Sequence, residues 1–365
     1  MKSQGVLPQA ATALIPILIS LVASAVLIAA AGVNPAAAAS ELLRGAFRDA
    51  DAAANVVNFW IPLTFASIGL IITFRAGLWN IGVDGQLTMG AIFASAVALS
   101  WPLPGPLLIA AQLAAAMIGG GLWGALAGFL KSRLGVNEIF GGVALNQIAN
   151  LATLYLITGP WQPAEGGSVR SSPPFPADAL LPRFSDDFRV SPLMLIAVVA
   201  TLVVVYAALR GTRWGLQLKA TGRNARSALL LGVPTTRTVL SAFIVCGALA
   251  GLAGAFRALV VFQSLRPLVS GGIGFLAVLV ALLAAGGVLL VPLITFAFSV
   301  LLGGSAQLKV ALRLDVALVG VVQGILVLSA LLFNGLSERW KKRRESLPQS
   351  VALPTPEPRR EVAHE

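Results

Sequence analysis

The chain reads as an all-α polytopic membrane protein with about ten transmembrane helices and both termini in the cytoplasm. Three observations predict this class. Of its 365 residues 57% are hydrophobic and only 11% are charged, well below the roughly 25% charge of soluble domains. Charge-free runs recur along the chain, many of them long enough to supply the 20 or so apolar residues that cross a bilayer core. The arginines and lysines also gather in connections that fall on one side of those runs, as cytoplasmic loops do.

The spans follow in order. Ser3 to Ser40 carries no charge and places a first span at about Ala11–Val33. Lys2 and the later alanines resemble a signal peptide, but the apolar stretch exceeds the 7–15 residues of a signal core, so an uncleaved helix is expected. Ala52–Phe74 is the second span. Gly85–Leu130 is too long for one helix and is broken by Pro102, Pro104 and Pro106, so it makes two spans joined by a turn. Ile139–Ala164 supplies the fifth, and the polar stretch Pro160–Val190 then forms the longest connection. Val190–Leu209 and Thr238–Phe256 are the sixth and seventh. Pro267–Leu308 has Gly286, Gly287 and Pro292 near its middle and reads as two shorter spans, and Val316–Ser337 is the last. Eight spans with one re-entrant hairpin would give the same orientation. Residues 1–337 thus form one membrane domain. Residues 338–365 form a basic, proline-containing tail that is expected to be disordered, with Lys341, Lys342, Arg343 and Arg344 as an anchor to lipid headgroups.

Charge supports this topology. The cytoplasmic side receives Lys2, Arg75, Lys131, Arg133, the loop at 210–237 and the tail, which together hold most of the 26 Lys and Arg. The outside receives Glu41, Asp49, Asp51, Glu165, Asp178, Asp186, Asp187 and Asp315. The formal charge of +11 is therefore a topology signal and implies no nucleic acid. The single cysteine, Cys246, cannot make an internal disulfide, and the only histidine, His364, lies in the tail, so no metal site, cofactor or catalytic triad is implied. No Gly-Lys-Ser/Thr phosphate loop occurs, so the chain does not hydrolyse ATP itself.

The loop at 210–237 is basic and carries no acid. Inside it, Asn224 can cap a short helix over Ala225–Leu231, Gly232 can take the left-handed position after it, and Pro234 prevents continuation. Such a helix is about 10 Å long. It is too short to span a membrane and suits contact between the membrane face and a soluble partner.

Two further stretches concentrate polar residues. Phe74–Gly90 sets Asn80, Asp84 and Gln86 among Gly77, Gly82, Gly85 and Gly90. Polar groups beside a glycine-broken helix can line a solute path, while a plain turn with Asp84 at a helix start accounts for the same residues. Glu138 likewise sits at a span start. In Asn137–Pro160, Asn146, Asn150 and Thr153 share one helix face. They either face a path or join helices, and Gln323 poses the same choice. Gly247, Ala250, Gly251 and Gly254 read as a close helix contact.

Four segments carry a resemblance. FRAGLWNIGVDGQ (74–86), NEIFGGVALNQIA (137–149), ATGRNARSALLLGVPTTRTVLSAFIVCGALAGLAGA (220–255) and GGIGFLAVLVALLAAGG (271–287) resemble, in order, motifs of the permease subunits of bacterial ABC importers for nucleosides and simple sugars. That group lies within the larger one that includes branched-chain amino acid permeases. Ala144 and Ala277 depart from the family pattern where methionine and glycine are usual. The resemblance implies location in the bacterial inner membrane, a second permease subunit (identical or not), ABC ATPase subunits and an extracytoplasmic solute-binding protein. It also implies that Gly222, Arg223, Asn224, Arg226, Ser227 and Gly232 form the ATPase-coupling element, and that Asn80, Asp84, Gln86, Asn146, Asn150 and Gln323 are candidates for the solute path. Nucleosides or sugars are the expected solutes, with branched-chain amino acids as an alternative. A stand-alone channel or ion-coupled carrier is the rival class, and the scarcity of acids inside the spans opposes it. No nucleophile–base constellation supports an enzyme.

Overall fold

The computed structural model of the chain describes residues 32–163, 171–284 and 287–312, with scattered positions between 19 and 30 and between 321 and 332. Among the described residues every regular element is helical, and seven helices are long and apolar enough to cross a membrane. The chain is a multi-pass membrane protein. The expected spans at 11–33 and 316–337 fall largely outside the described residues, and Gln323 and the tail at 338–365 fall wholly outside them.

The first helix, α1 (Pro35–Phe47), lies in a stretch read from sequence as an outer connection. It forms because the Asn34 side chain accepts from the Ala36 amide and Pro35 fits a first turn. The next helix, α2 (Ala50–Arg75), is capped by Asp49, which accepts from the Ala52 amide at 2.7 Å. That bond and the neighbouring Arg48 hold the Asp49 carboxyl below its ordinary range. From Ile61 to Thr73 every residue of α2 is buried, so this helix is the axis of the bundle.

The charge-free run at 85–130 resolves as expected into α3 (Val83–Ser100) and α4 (Gly105–Leu134), joined across Pro102 and Pro104. Asn137 caps α5 (Glu138–Thr158) through the Ile139 amide, and Glu138 in its first turn pairs with Lys131 of α4. The described part of the long connection that follows is held on the bundle by two backbone bonds, Phe175 N–H to the Gln263 carbonyl and Ser172 N–H to the Leu265 carbonyl. It leads into α6 (Pro192–Gly211).

Two short helices follow, α7 (Arg213–Arg223) and α8 (Ala225–Leu230). The sequence suggests only the second. The first forms because Thr212 caps the Gly215 amide and because Gly215, Leu218 and Thr221 give it a buried stripe. The following span, α9 (Thr235–Phe256), continues as a π-turn to Phe262. Pro267–Leu308, expected to hold two shorter spans, instead contains α10 (Ile273–Leu283) and α11 (Val291–Leu312). Only 11 residues and about 16 Å long, α10 cannot cross a core of about 30 Å. It is a half-helix inside the bundle.

Between membrane helices lipid supplies no hydrophobic drive, so close backbone approach must hold them together. The most extensive close approach is between α4 and α9. A methyl at Gly120 would overlap the Gly247 carbonyl, one at Gly124 the Phe243 carbonyl, and one at Gly251 the Ala116 carbonyl. On the same side of α9, Gly254 lies against the Leu87 carbonyl of α3. The close contact expected of the glycines on α9 is present, and the matching glycines on α4 are its other half.

Gly247→Leu is expected to destabilise the fold by about 1–3 kcal/mol or more, lowering the thermal midpoint in detergent by several degrees. Gly211→Leu, at a site with nothing within 4 Å, should leave that midpoint unchanged.

Candidate functional site

The centre of the site is the turn from α2 to α3. The last turn of α2 closes with the Gly77 N–H on the Phe74 carbonyl and the Leu78 N–H on the Thr73 carbonyl. This arrangement needs a left-handed residue, and Gly77 supplies it at φ +74°. The chain then reverses through Trp79, which packs on Phe74 with ring centroids 5.5 Å apart.

Asn80 follows and is buried. Its carboxamide faces that of Gln86, with Asn80 Nδ2 donating to Gln86 Oε1 at 3.0 Å and Gln86 Nε2 donating back to Asn80 Oδ1 at 3.1 Å. Asn80 Nδ2 also reaches Cys246 Sγ of α9 at 3.1 Å. From α5, Asn146 Oδ1 accepts from the Gly85 amide at 2.7 Å and its Nδ2 donates to the Ile81 carbonyl at 3.0 Å. Gly142, one turn earlier, lets α5 approach the Gly82 backbone.

Asp84 does not cap its own helix. Gly82 takes that position without a side-chain bond. The Asp84 carboxylate instead accepts from Ser270 Oγ at 2.9 Å and from the Gly274 amide at 3.1 Å, at the first turn of α10. A carboxylate at a helix N-terminus meets free N–H groups and a favourable dipole. Asp84 thus faces a helix start, but that of a helix whose contacting residue lies 190 positions away in sequence. Ser270, Gly274 and Cys246 are therefore members of the site that sequence reasoning misses. The glycine-rich start of α10 at 271–274 is the one sequence feature that marks this end.

Asn80, Asp84, Gln86 and Asn146 thus come together around one turn and are occupied by protein partners. Asn150 lies farther along α5, where its Oδ1 is buried without a partner among the described residues. Thr153, on the same face, is spent on the Ala149 carbonyl.

The coupling candidates form a second cluster beside the first. Asn224 ends α7 through its N–H on the Ala220 carbonyl and starts α8 by accepting from the Ser227 amide at 2.9 Å. Gly232 closes α8 at φ +82°, as its sequence position predicts. Arg223, Arg226 and Ser227 are exposed, and so are Leu229, Leu230 and Leu231, the last two at 83% each. Three exposed leucines beside two arginines make a surface suited to a protein partner. Gly222 lies close against backbone. A methyl there would overlap the Arg75 carbonyl and crowd Ala76 and Gly77, so α7 is seated backbone to backbone on the turn that leads to Asn80. Trp214 Nε1, donating to Ser241 Oγ at 2.9 Å, ties the other end of α7 to α9.

Replacing Asp84 by Ala leaves the Gly274 amide and Ser270 hydroxyl without their partner, at about 1–3 kcal/mol. Asp84→Asn keeps an acceptor. The alanine variant is expected to melt several degrees below the asparagine variant in a detergent thermal-shift measurement.

Comparison with known proteins shows the family. The model of the family described as branched-chain amino acid transport system / permease component matches residues 52–331. A glucose ABC transporter permease protein of Haloferax volcanii is 30% identical over 296 residues, covering 78% of this chain and 76% of its own. A guanosine ABC transporter permease protein of Bacillus subtilis is 28% identical, with 86% and 91% covered. A nucleoside ABC transporter permease protein of Lactococcus lactis is 27% identical, with 80% and 82% covered. No solved structure matches the chain. Family members are transport permeases, which work with an ATPase and a substrate-binding protein, and the chain belongs to this family of membrane permease components.

Proposed function

We propose that the chain is the permease subunit of an ATP-driven importer for nucleosides or simple sugars in the bacterial inner membrane. It would receive solute from an extracytoplasmic binding protein and pass it inward. The coupling part rests on one observation: a capped, exposed helix, α8, follows α7, which packs backbone to backbone against the polar turn at 77–86. The solute class rests on the relatives named for glucose, guanosine and nucleosides.

In this reading residues 1–337 form the permease domain with a cytoplasmic N-terminus, and the half-helix α10 is not itself a crossing. The loop at 210–237 then lies on the cytoplasmic face, where its arginines belong. There α8 seats in a groove of the ATPase, with Leu229, Leu230 and Leu231 as the apolar anchor and Arg223 and Arg226 at its rim. Movement of the ATPase shifts α7, and the Gly222 contact transmits that shift to the turn. From there Asn146 carries it to α5 and Asp84 carries it to α10. A second permease subunit completes the path, and Asn150, with its uncommitted oxygen, is the path-lining candidate that the geometry favours.

The test is uptake in proteoliposomes holding the permease pair, ATPase and binding protein. Arg226→Glu and Leu230→Glu are expected to lower ATP-driven uptake at least tenfold while the permease still inserts. Uptake at the unaltered rate in both variants would sink the coupling assignment. Gly222→Val should break transmission differently, with the ATPase still bound but no longer stimulated by loaded binding protein. Solute flux by the permease without any ATPase would instead favour a stand-alone channel.

A further inference from the structure

A polar cavity lies far from α8. With 26 residues α2 is about 39 Å long. Gly222 and α7 sit at its Arg75 end, and the cavity opens at its Asp51 end. Its volume is about 300 Å³, at the lower end of the range for small-molecule sites. Three elements meet there: the first turns of α2, the connection leading into α6, and the end of the π-turn after α9. Asn55, Asn58, Arg183 and Gln263 line it together with Val260 and Val261.

The rim is braced. Arg189 donates to Asp51 Oδ1 at 2.7 Å, and Asn58 Nδ2 donates to the Arg189 carbonyl at 3.1 Å. Arg183 is held by one bond to the Val260 carbonyl at 3.3 Å, which leaves other guanidinium donors unused among the described residues. Gln263 stands at φ +55°, a sparsely populated conformation for a residue with a side chain, and its carbonyl is fixed by the Phe175 amide. Neither its carboxamide nor that of Asn55 has a bond to another side chain or to the backbone among the described residues. A carboxamide donates and accepts, as a hydroxyl does, and a guanidinium offers parallel donors. Two free carboxamides and one guanidinium above two valines therefore match adjacent hydroxyls on a ring with an apolar face.

We propose that this cavity is the entry subsite of the permease, where an uncharged sugar or nucleoside rests after leaving the binding protein, and that Asn55, Arg183 and Gln263 read its paired hydroxyls. This rests on the importer function proposed above. The test uses the full transporter in proteoliposomes, with radiolabelled guanosine or glucose as solute. Each is compared with its 2′,3′-dideoxy or 2-deoxy counterpart. Asn55 is exposed and Gln263 holds a conformation open to glycine, so Asn55→Leu and Gln263→Gly should both fold. In each, KM for the hydroxylated solute is expected to rise about tenfold at unchanged kcat, and preference over the deoxy counterpart should fall towards one. An unaltered KM and preference in both variants would overturn the subsite while leaving the importer function standing. Equal loss for both solutes, with loss of ATPase stimulation by the binding protein, would make the cavity a docking face instead and also overturn it. If the wild-type transporter imports neither solute class, the proposed function falls and the subsite with it.

Discussion

A backbone that stops being helical inside a buried core leaves N–H and C=O groups that must find protein partners. That constraint governs the region from Gly77 to Gly85. Asn146 answers it for two groups at once, by accepting from Gly85 and donating to Ile81. The Asn80–Gln86 pair answers it in another way, by satisfying two buried carboxamides with each other. Asp84 answers it for a different element, the first turn of α10. Remove these bonds and the break, the half-helix and the close seat of α5 lose their reason to exist together.

The same bonds show why a polar residue in a membrane span is ambiguous when only the chain is known. Asn80, Asp84, Gln86 and Asn146 have the composition of a solute path, and all four are spent on protein partners. Asn150 has the same chemistry and lies one turn from Asn146, yet keeps an oxygen uncommitted. Sequence spacing places both on one helix face. Only the position of neighbouring backbone separates a residue that joins helices from one that is free to meet something else.

Most long spans are legible in the sequence because an uncharged, apolar run of about 20 residues fits a bilayer core and little else. The short helix at 225–230 is legible as well, since Asn224, Gly232 and Pro234 act through local bonds. The helices α1 and α7 are not legible, because each is short and of mixed polarity, and each is stabilised partly by packing on a distant element. The half-length of α10 is hidden for the opposite reason. Its sequence is as apolar as a full span, and its true extent is set by the turns at 263–272 before it and by Ala284, whose carbonyl accepts from the Gly287 N–H, after it. The partnership of Asp84 with Gly274 is likewise invisible, since no local pattern links them. The cavity at the Asp51 end of α2 combines residues near 51–58, 183–189 and 260–263, which no motif connects.

Asp84 also has a consequence for charge. The N-terminus of a half-helix within a membrane is a natural seat for an anion. Here the protein fills that seat with its own carboxylate, bonded to Ser270 and Gly274. A carboxylate or phosphate arriving from outside would find the N–H groups already taken and a like charge in its place. The first turn of α10 is therefore satisfied from within the chain and offers no open seat to an anion.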